Sequence, residues 1–177
     1  MTYDDKLAAL FLMNFKESYR SAKLLMLSHA RVSDLIPLTG TKIKQLSIDE
    51  LDKLDAFRVR FCDLQDSLGS KTFRTLLKLE EENIGTQLDI INKIEKRRII
   101  SSFEGWKNMR EIRNLFSHDY PENDEQLAEA INIAYKNSAG LISVLNNVKL
   151  YVQEHIKIPM HAFPLISQTS DERPSKG

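Results

Sequence analysis

One cysteine, six glycines and five prolines in 177 residues leave little material for several familiar architectures. A lone Cys62 cannot staple the chain internally, which excludes a disulfide scaffold and favours a reducing compartment, the cytoplasm by default. Gly and Pro together make 11 of 177 positions, about half of average usage, which excludes collagen-like and low-complexity chains and leans towards helix. No apolar run approaches the roughly 20 residues of a membrane span. The opening MTYDDK carries acids where a secretory leader carries positive charge, which predicts neither a leader nor a membrane partner. An excess of one charge is missing too. The 25 Lys and Arg balance 25 Asp and Glu, so the chain is no uniformly basic nucleic-acid coat, although a local basic patch stays open.

What is there suffices for a core. Hydrophobic residues make up 42% of the chain, and a domain of this length buries roughly 70% of its unfolded surface without disulfides or a structural metal. Leu7, Leu10, Phe11, Phe15, Ala22 and Leu25 recur at three- and four-residue steps and paint one face of a long first helix that fades near His29. Pro37 and Gly40 mark residues 30–48 as a loop with room for a short turn. Ser47 and Glu50 form a capping-box pair that opens a second helix, with the stripe Leu54, Phe57, Phe61, Leu64 and Leu68. A further helical stretch after Gly69 carries Phe73, Leu76 and Leu77. Beyond a polar break, Leu88, Ile91 and Ile94 predict a short helix, followed by the basic run Lys96-Arg97-Arg98.

Ser101 and Glu104 read as another capping box, opening a helix with Phe103, Trp106, Met109, Ile112, Leu115 and Phe116 that ends before Pro121. Asn123 caps a last helix bearing Leu127, Ile131, Ala134, Leu141, Leu145, Val148 and Val152, to about His155. With no strand-length alternation and no internal repeat, the chain reads as all-α, an antiparallel bundle of four to five helices over 1–158. Residues 159–177 lose periodicity, hold three of the five prolines and read as a flexible C-terminal tail.

The chemistry is first bounded by absences. Gly69-Ser70-Lys71 lacks the spacing of a phosphate-cradling loop, and no G-x-S-x-G elbow is present. His29, His118, His155 and His161 lie in different elements without ligand spacing, so no metal and no cofactor are expected. Cys62, in a mostly apolar helix, reads as a small core residue rather than a nucleophile.

There remains the segment Met109 to Pro121. Asn114 and His118, four apart, share a helix face, and Arg113 and Tyr120, seven apart, lie nearly in line, with Arg110 and Ser117 flanking them. Arg113 and His118 stand about 140° apart on an ideal helix, so aiming both at one atom needs long side chains or a second subunit. Ordinarily a polar face of this kind is solvated surface, and a His ahead of a Pro-containing turn is a helix-end residue favoured by the dipole. Residues 93–118 hold seven basic against three acidic side chains, Lys107 and Arg110 among them, a net of +4 able to draw RNA. The following residues 119–129 hold five acids and no base, a strip suited to bounding a cleft or meeting a basic partner.

Arg113-Asn114-Leu115-Phe116-Ser117-His118-Asp119-Tyr120 resembles the Arg-x4-His-x-Tyr signature of the HEPN superfamily, in the form found in HepT-like toxins paired with minimal nucleotidyltransferases. The stretch Arg60 to Gly69, with Gln65 and Asp66, is similar to the helix preceding the motif in one branch, and Ile99 to Trp106 to the lead-in. The resemblance covers about residues 50–125.

It implies a homodimer that brings two motifs across one cleft, and a metal-independent endoribonuclease of the toxin–antitoxin kind. In that role His118 exchanges protons at neutral pH. Arg113 offers a donor fork to the phosphate, Asn114 orients phosphate or imidazole, and Arg110, Lys107 and Ser117 contact the RNA backbone. It further implies that a nucleotidyltransferase antitoxin adenylylates Tyr120, silencing the site by bulk and charge. The alternatives are a non-catalytic substrate-binding or interaction subunit of such a nucleotidyltransferase, and a purely structural helical module.

Overall fold

The computed structural model describes residues 4–117 and 123–167. Among them the chain is all helical: α1 Asp5–Val32, α2 Gly40–Lys44, α3 Ile48–Asp66, α4 Phe73–Leu79, α5 Gln87–Lys96, α6 Phe103–Ser117 and α7 Asp124–Tyr151. The expected all-α bundle is what forms, with α1, the α3–α4 rod, α5, α6 and α7 as its long members. None of the described helices is long and apolar enough to cross a membrane.

Local chemistry sets the helix starts. Asp4 accepts from the backbone N–H groups of Lys6 and Leu7 at 2.8 and 3.1 Å, closing the N-terminus of α1. The Ser47/Glu50 box opens α3 as expected, with bonds of 2.8 and 3.2 Å in the two directions. A box that the sequence reading did not register, Thr86 with Asp89, opens α5. At α6 the cap falls one residue later than expected. Ser102, not Ser101, accepts from the Gly105 N–H at 3.0 Å, and Glu95 of α5 takes the Phe103 N–H at 3.0 Å. In α5 the inward face is Ile90, Ile91 and Ile94, whereas Leu88 is 55% exposed. Asn123 caps α7, and every residue of its expected stripe is buried.

Between α3 and α4 there is no loop. Ser67–Thr72 wind as one π-helical turn, so the rod runs on with a residue inserted. Facing this turn, α1 contributes polar side chains to the interior. Ser18 Oγ donates to Ser67 Oγ at 2.9 Å and lies 2.9 Å from Thr72 Oγ1, while Thr72 Oγ1 donates to the Asn14 carbonyl at 3.4 Å. These buried hydroxyls satisfy one another, so a polar seam runs through an otherwise apolar contact of Phe11, Phe15, Phe61, Leu64 and Leu68.

The C-terminal reading needs correction for residues 159–167. Lys157 turns the chain back with a positive φ of 67°. Met160 is then fully buried, and Phe163 meets the rings of Phe15 and Tyr19 edge-on at 5.2 and 5.4 Å. Asn146 of α7 brackets Ile166 with two bonds of 3.0 Å to its backbone. Loss of helical periodicity there is loss of helix, not of packing, because an irregular strap inserts its anchors one at a time. Residues 168–177 lie outside the described residues.

Candidate functional site

The polar face singled out in the sequence lies on α6, which is half-embedded: of its 15 residues only Trp106 and Phe116 are buried. Two contacts with α3 fix its C-terminal end. Phe61 meets Phe116 edge-on at 5.9 Å, and the Arg58 guanidinium sits 5.4 Å above the same ring while donating to the Phe116 carbonyl at 3.4 Å. A cation there suits the negative end of the helix dipole.

One turn earlier stands Arg113. Its Nε and Nη2 donate to Asp66 Oδ1 and Oδ2, each at 2.7 Å, a fork-to-fork pair across α6 and α3. The Asp66 carboxylate holds the guanidinium still further above its ordinary value. Of the donor fork that the resemblance assigns to a phosphate, one edge is engaged by Asp66, and Nη1 remains. Cys62 lies one turn before Asp66 and donates its thiol to the Arg113 carbonyl at 3.7 Å. Burial pushes that thiol up to about 11, which makes it a poor nucleophile. Ser117 Oγ donates back to the Arg113 carbonyl at 2.8 Å, so its proton serves the helix rather than a ligand.

Lys107, Arg110 and Asn114 are exposed and have no hydrogen-bond or ion-pair partner among the described residues. Arg110, Arg113 and Asn114 line one wall of a cavity of about 600 Å³, within the usual size of ligand sites. Asp63, Gln65 and Asp66 of α3 supply a second wall, and the π-helical turn a third through Ser67, Gly69 and Lys71. His118 and Tyr120 lie outside the described residues, as does Asp119. The structure thus brings Arg110, Arg113 and Asn114 together at one cavity, while Lys107 and Ser117 are not part of its lining.

Residues that the motif reading gave no role complete the cavity. Gly69 lies so close to the Trp106 ring that a Cβ would stand 3.2 Å from Cζ2, so glycine lets the indole seat against the turn. Gln87 of α5 donates its amide to the Gly69 carbonyl at 3.4 Å. Two donors in the cavity walls, Gln65 Nε2 and Trp106 Nε1, are buried without a hydrogen-bond partner. Each such group costs about 1–3 kcal/mol in a finished interior. A signal for this arrangement was present in the sequence. The α3 stripe steps by three and four to Leu68 and then by five to Phe73, the step that a π-helical turn accommodates.

The basic window is less positive in space than along the chain. Lys93 pairs with Glu82 at 3.0 Å, and Arg97 with Glu80 and Glu82 at 2.6 and 2.8 Å. The acidic strip is likewise partly engaged, since Glu125 accepts from the Gly40 N–H at 2.8 Å. Among the described residues no three His, Cys, Asp or Glu side chains are grouped to hold a metal ion. His29 stacks on Tyr135, 3.9 Å between centroids, with Nε2 at 3.1 Å from the Tyr135 carbonyl, and is a packing residue. Compared with protein-family models, with curated proteins and with solved structures, the chain finds no match in any of the three.

Proposed function

We propose that this chain is a metal-independent endoribonuclease of the HEPN type, the toxin of a toxin–antitoxin pair, acting as a homodimer. The observation that carries the reading is the placement of Arg113. It is locked by two 2.7 Å bonds to Asp66 at the edge of a cavity, five residues before His118 in the sequence and beside Arg110 and Asn114, which have no partner among the described residues. A guanidinium held in one orientation is ready to meet charge that grows on a phosphate in the transition state.

In the proposed reaction the ribose 2′-oxygen attacks the adjacent phosphorus and gives its proton to a base. The P–O5′ bond breaks, and the 5′-oxygen takes a proton from an acid. The products are a 2′,3′-cyclic phosphate and a 5′-hydroxyl, and DNA, without the 2′-hydroxyl, resists. His118 from each of two subunits supplies base and acid, which also answers the separation of about 140° that an ideal helix would impose between Arg113 and His118. A nucleotidyltransferase antitoxin silences the site by attaching AMP to Tyr120, adding bulk and negative charge.

Labelled RNA with purified protein tests this: wild type cuts and His118→Ala does not. Intact RNA with the wild-type protein ends the ribonuclease reading. Mass analysis after co-expression with a partner nucleotidyltransferase tests Tyr120, where an unmodified residue ends the adenylylation reading. The second reading, a non-catalytic substrate-binding subunit, draws on the same pair: with Nε and Nη2 of Arg113 engaged by Asp66, Nη1 is left to hold a phosphate without driving its cleavage. Tight nucleotidyltransferase binding with intact RNA supports that second reading.

A further inference from the structure

The outer face of α1 has no part in the site described above. From Ser18 to Val32 the helix carries Arg20, Lys23 and Arg31 and no acid, in a chain without net charge. Lys16, Arg20 and Lys23, at steps of four and three, share a crest turned away from Phe11, Phe15, Ala22 and Leu25 in the core. All three side chains are exposed, and none has an ion-pair or hydrogen-bond partner among the described residues. Lys23 alone rests on a ring, 5.7 Å from the centroid of Tyr19.

That crest adjoins the cavity. Glu17 and Ser21 of α1 line the cavity wall, and Arg20 stands only about 60° around the helix from Glu17. Of the acids at the cavity, Glu17 and Asp66 are neutralised by Lys71 and Arg113 at 2.8 and 2.7 Å, so Asp63 alone would meet a polyanion uncompensated. Unpaired cations thus stand on two sides, Arg110 on the α6 wall and Arg20 with its neighbours beyond the α1 wall.

Resting on the ribonucleolytic reading for the polymer bound here, we propose that the crest of α1 is a backbone track for single-stranded RNA. A strand with its scissile phosphate at the cavity passes over the α1 wall and lays further phosphates on Arg20, Lys16 and Lys23. Such a track holds any sequence, because it meets only the charge of the backbone. An anionic membrane fits this face less well. The apolar side that an interfacial helix would insert is already spent in the core, where Phe11, Phe15 and Leu25 are buried.

Fluorescence anisotropy with a labelled single-stranded 2′-O-methyl RNA, which has no free 2′-hydroxyl and stays uncut, reads binding alone. Each phosphate contact on a single strand contributes about 0.7 to the slope of log affinity against log salt, or about fivefold in affinity at about 0.1 M salt. The triple variant Lys16→Ala/Arg20→Ala/Lys23→Ala should therefore bind about 100-fold more weakly there, with a slope smaller by about 2. Alanine at exposed helix positions keeps the fold. A control, Lys44→Ala/Lys53→Ala/Lys136→Ala, removes the same charge from exposed positions on α2, α3 and α7 and should leave the slope unchanged. No binding by the wild type, an unchanged slope in the α1 variant, or an equal loss in both variants overturns the proposal, as does α1-dependent binding to phosphatidylserine vesicles in place of RNA. Cleavage of natural RNA alongside an unchanged slope in the α1 variant removes the track and leaves the nuclease reading standing. Intact natural RNA alongside the expected loss of slope defeats the nuclease reading and leaves α1 as an RNA-binding surface.

Discussion

Removing the Arg113–Asp66 pair tests the geometry on which the site rests. The two side chains are 30% and 43% exposed, so the attraction acts near solvent, where single ion pairs contribute about 0.2–1 kcal/mol. Two parallel bonds of 2.7 Å put this pair at the upper end. The expected coupling in a double-mutant cycle of Asp66→Ala, Arg113→Ala and the double variant is therefore about 1 kcal/mol, read from urea unfolding at low salt. In thermal unfolding that corresponds to roughly 2–4 °C for a chain of this length. Added salt should shrink the coupling, since half-exposed charges are screened. A coupling near zero at low salt, or one indifferent to salt, would mean that α6 is not tied to α3 in this way and that Arg113 has no fixed aim.

Three other expectations concern the surrounding fold. Burial holds the His29 imidazole below its ordinary value of 6.5, outweighing the pull of the Tyr135 carbonyl, so the unfolded chain binds the proton more readily. Stability is then full above about 6.5 and falls as the pH drops below it. Urea midpoints across neutral to mildly acidic pH should show the fall, and His29→Phe should remove that component; an identical profile in both proteins contradicts the assignment. Met160→Ala should destabilise by about 2–5 kcal/mol, as for other buried large-to-small changes, whereas no change in Tm would return residues 159–167 to the status of a loose tail. Cys62, with its thiol raised to about 11, should react slowly with a thiol reagent at mildly alkaline pH until urea unfolds the chain; rapid native labelling speaks against its burial.

The helices were readable where burial on one side leaves a regular trace. The α7 stripe from Leu127 to Val152 is wholly buried, and the Ser47/Glu50 box stands where two reciprocal bonds need it. Less was readable where the determining partner is distant in sequence. Asp66 and Arg113 are 47 residues apart, and nothing within either helix says that the fork of one closes on the other. Ser101 and Ser102 are equivalent as adjacent cap candidates until Glu95 of α5 takes the Phe103 N–H and settles the start of α6. Leu88 was drawn into the α5 stripe by its spacing from Ile91, yet Ile90 takes the inward position because the core lies on that side. Arg113, Asn114 and Arg110 were found from their order along one helix. Gln65, Gly69 and Trp106 enter the sequence reading without a place at a cavity, and Gln87 not at all; their meeting there is invisible in the sequence because the π-helical turn gathers them from three helices.

That turn separates two tasks that one rod performs. Leu68 and Phe73 both face the interior across five residues, and an uninterrupted α-helix would bring the same two positions into line across four. Deleting a single residue such as Ser70 would thus straighten the rod without rotating its oily side away from α1. The bundle would survive as a scaffold while the bulge that shapes the recess vanished, so a shortened descendant of this chain could keep its architecture and lose its trade.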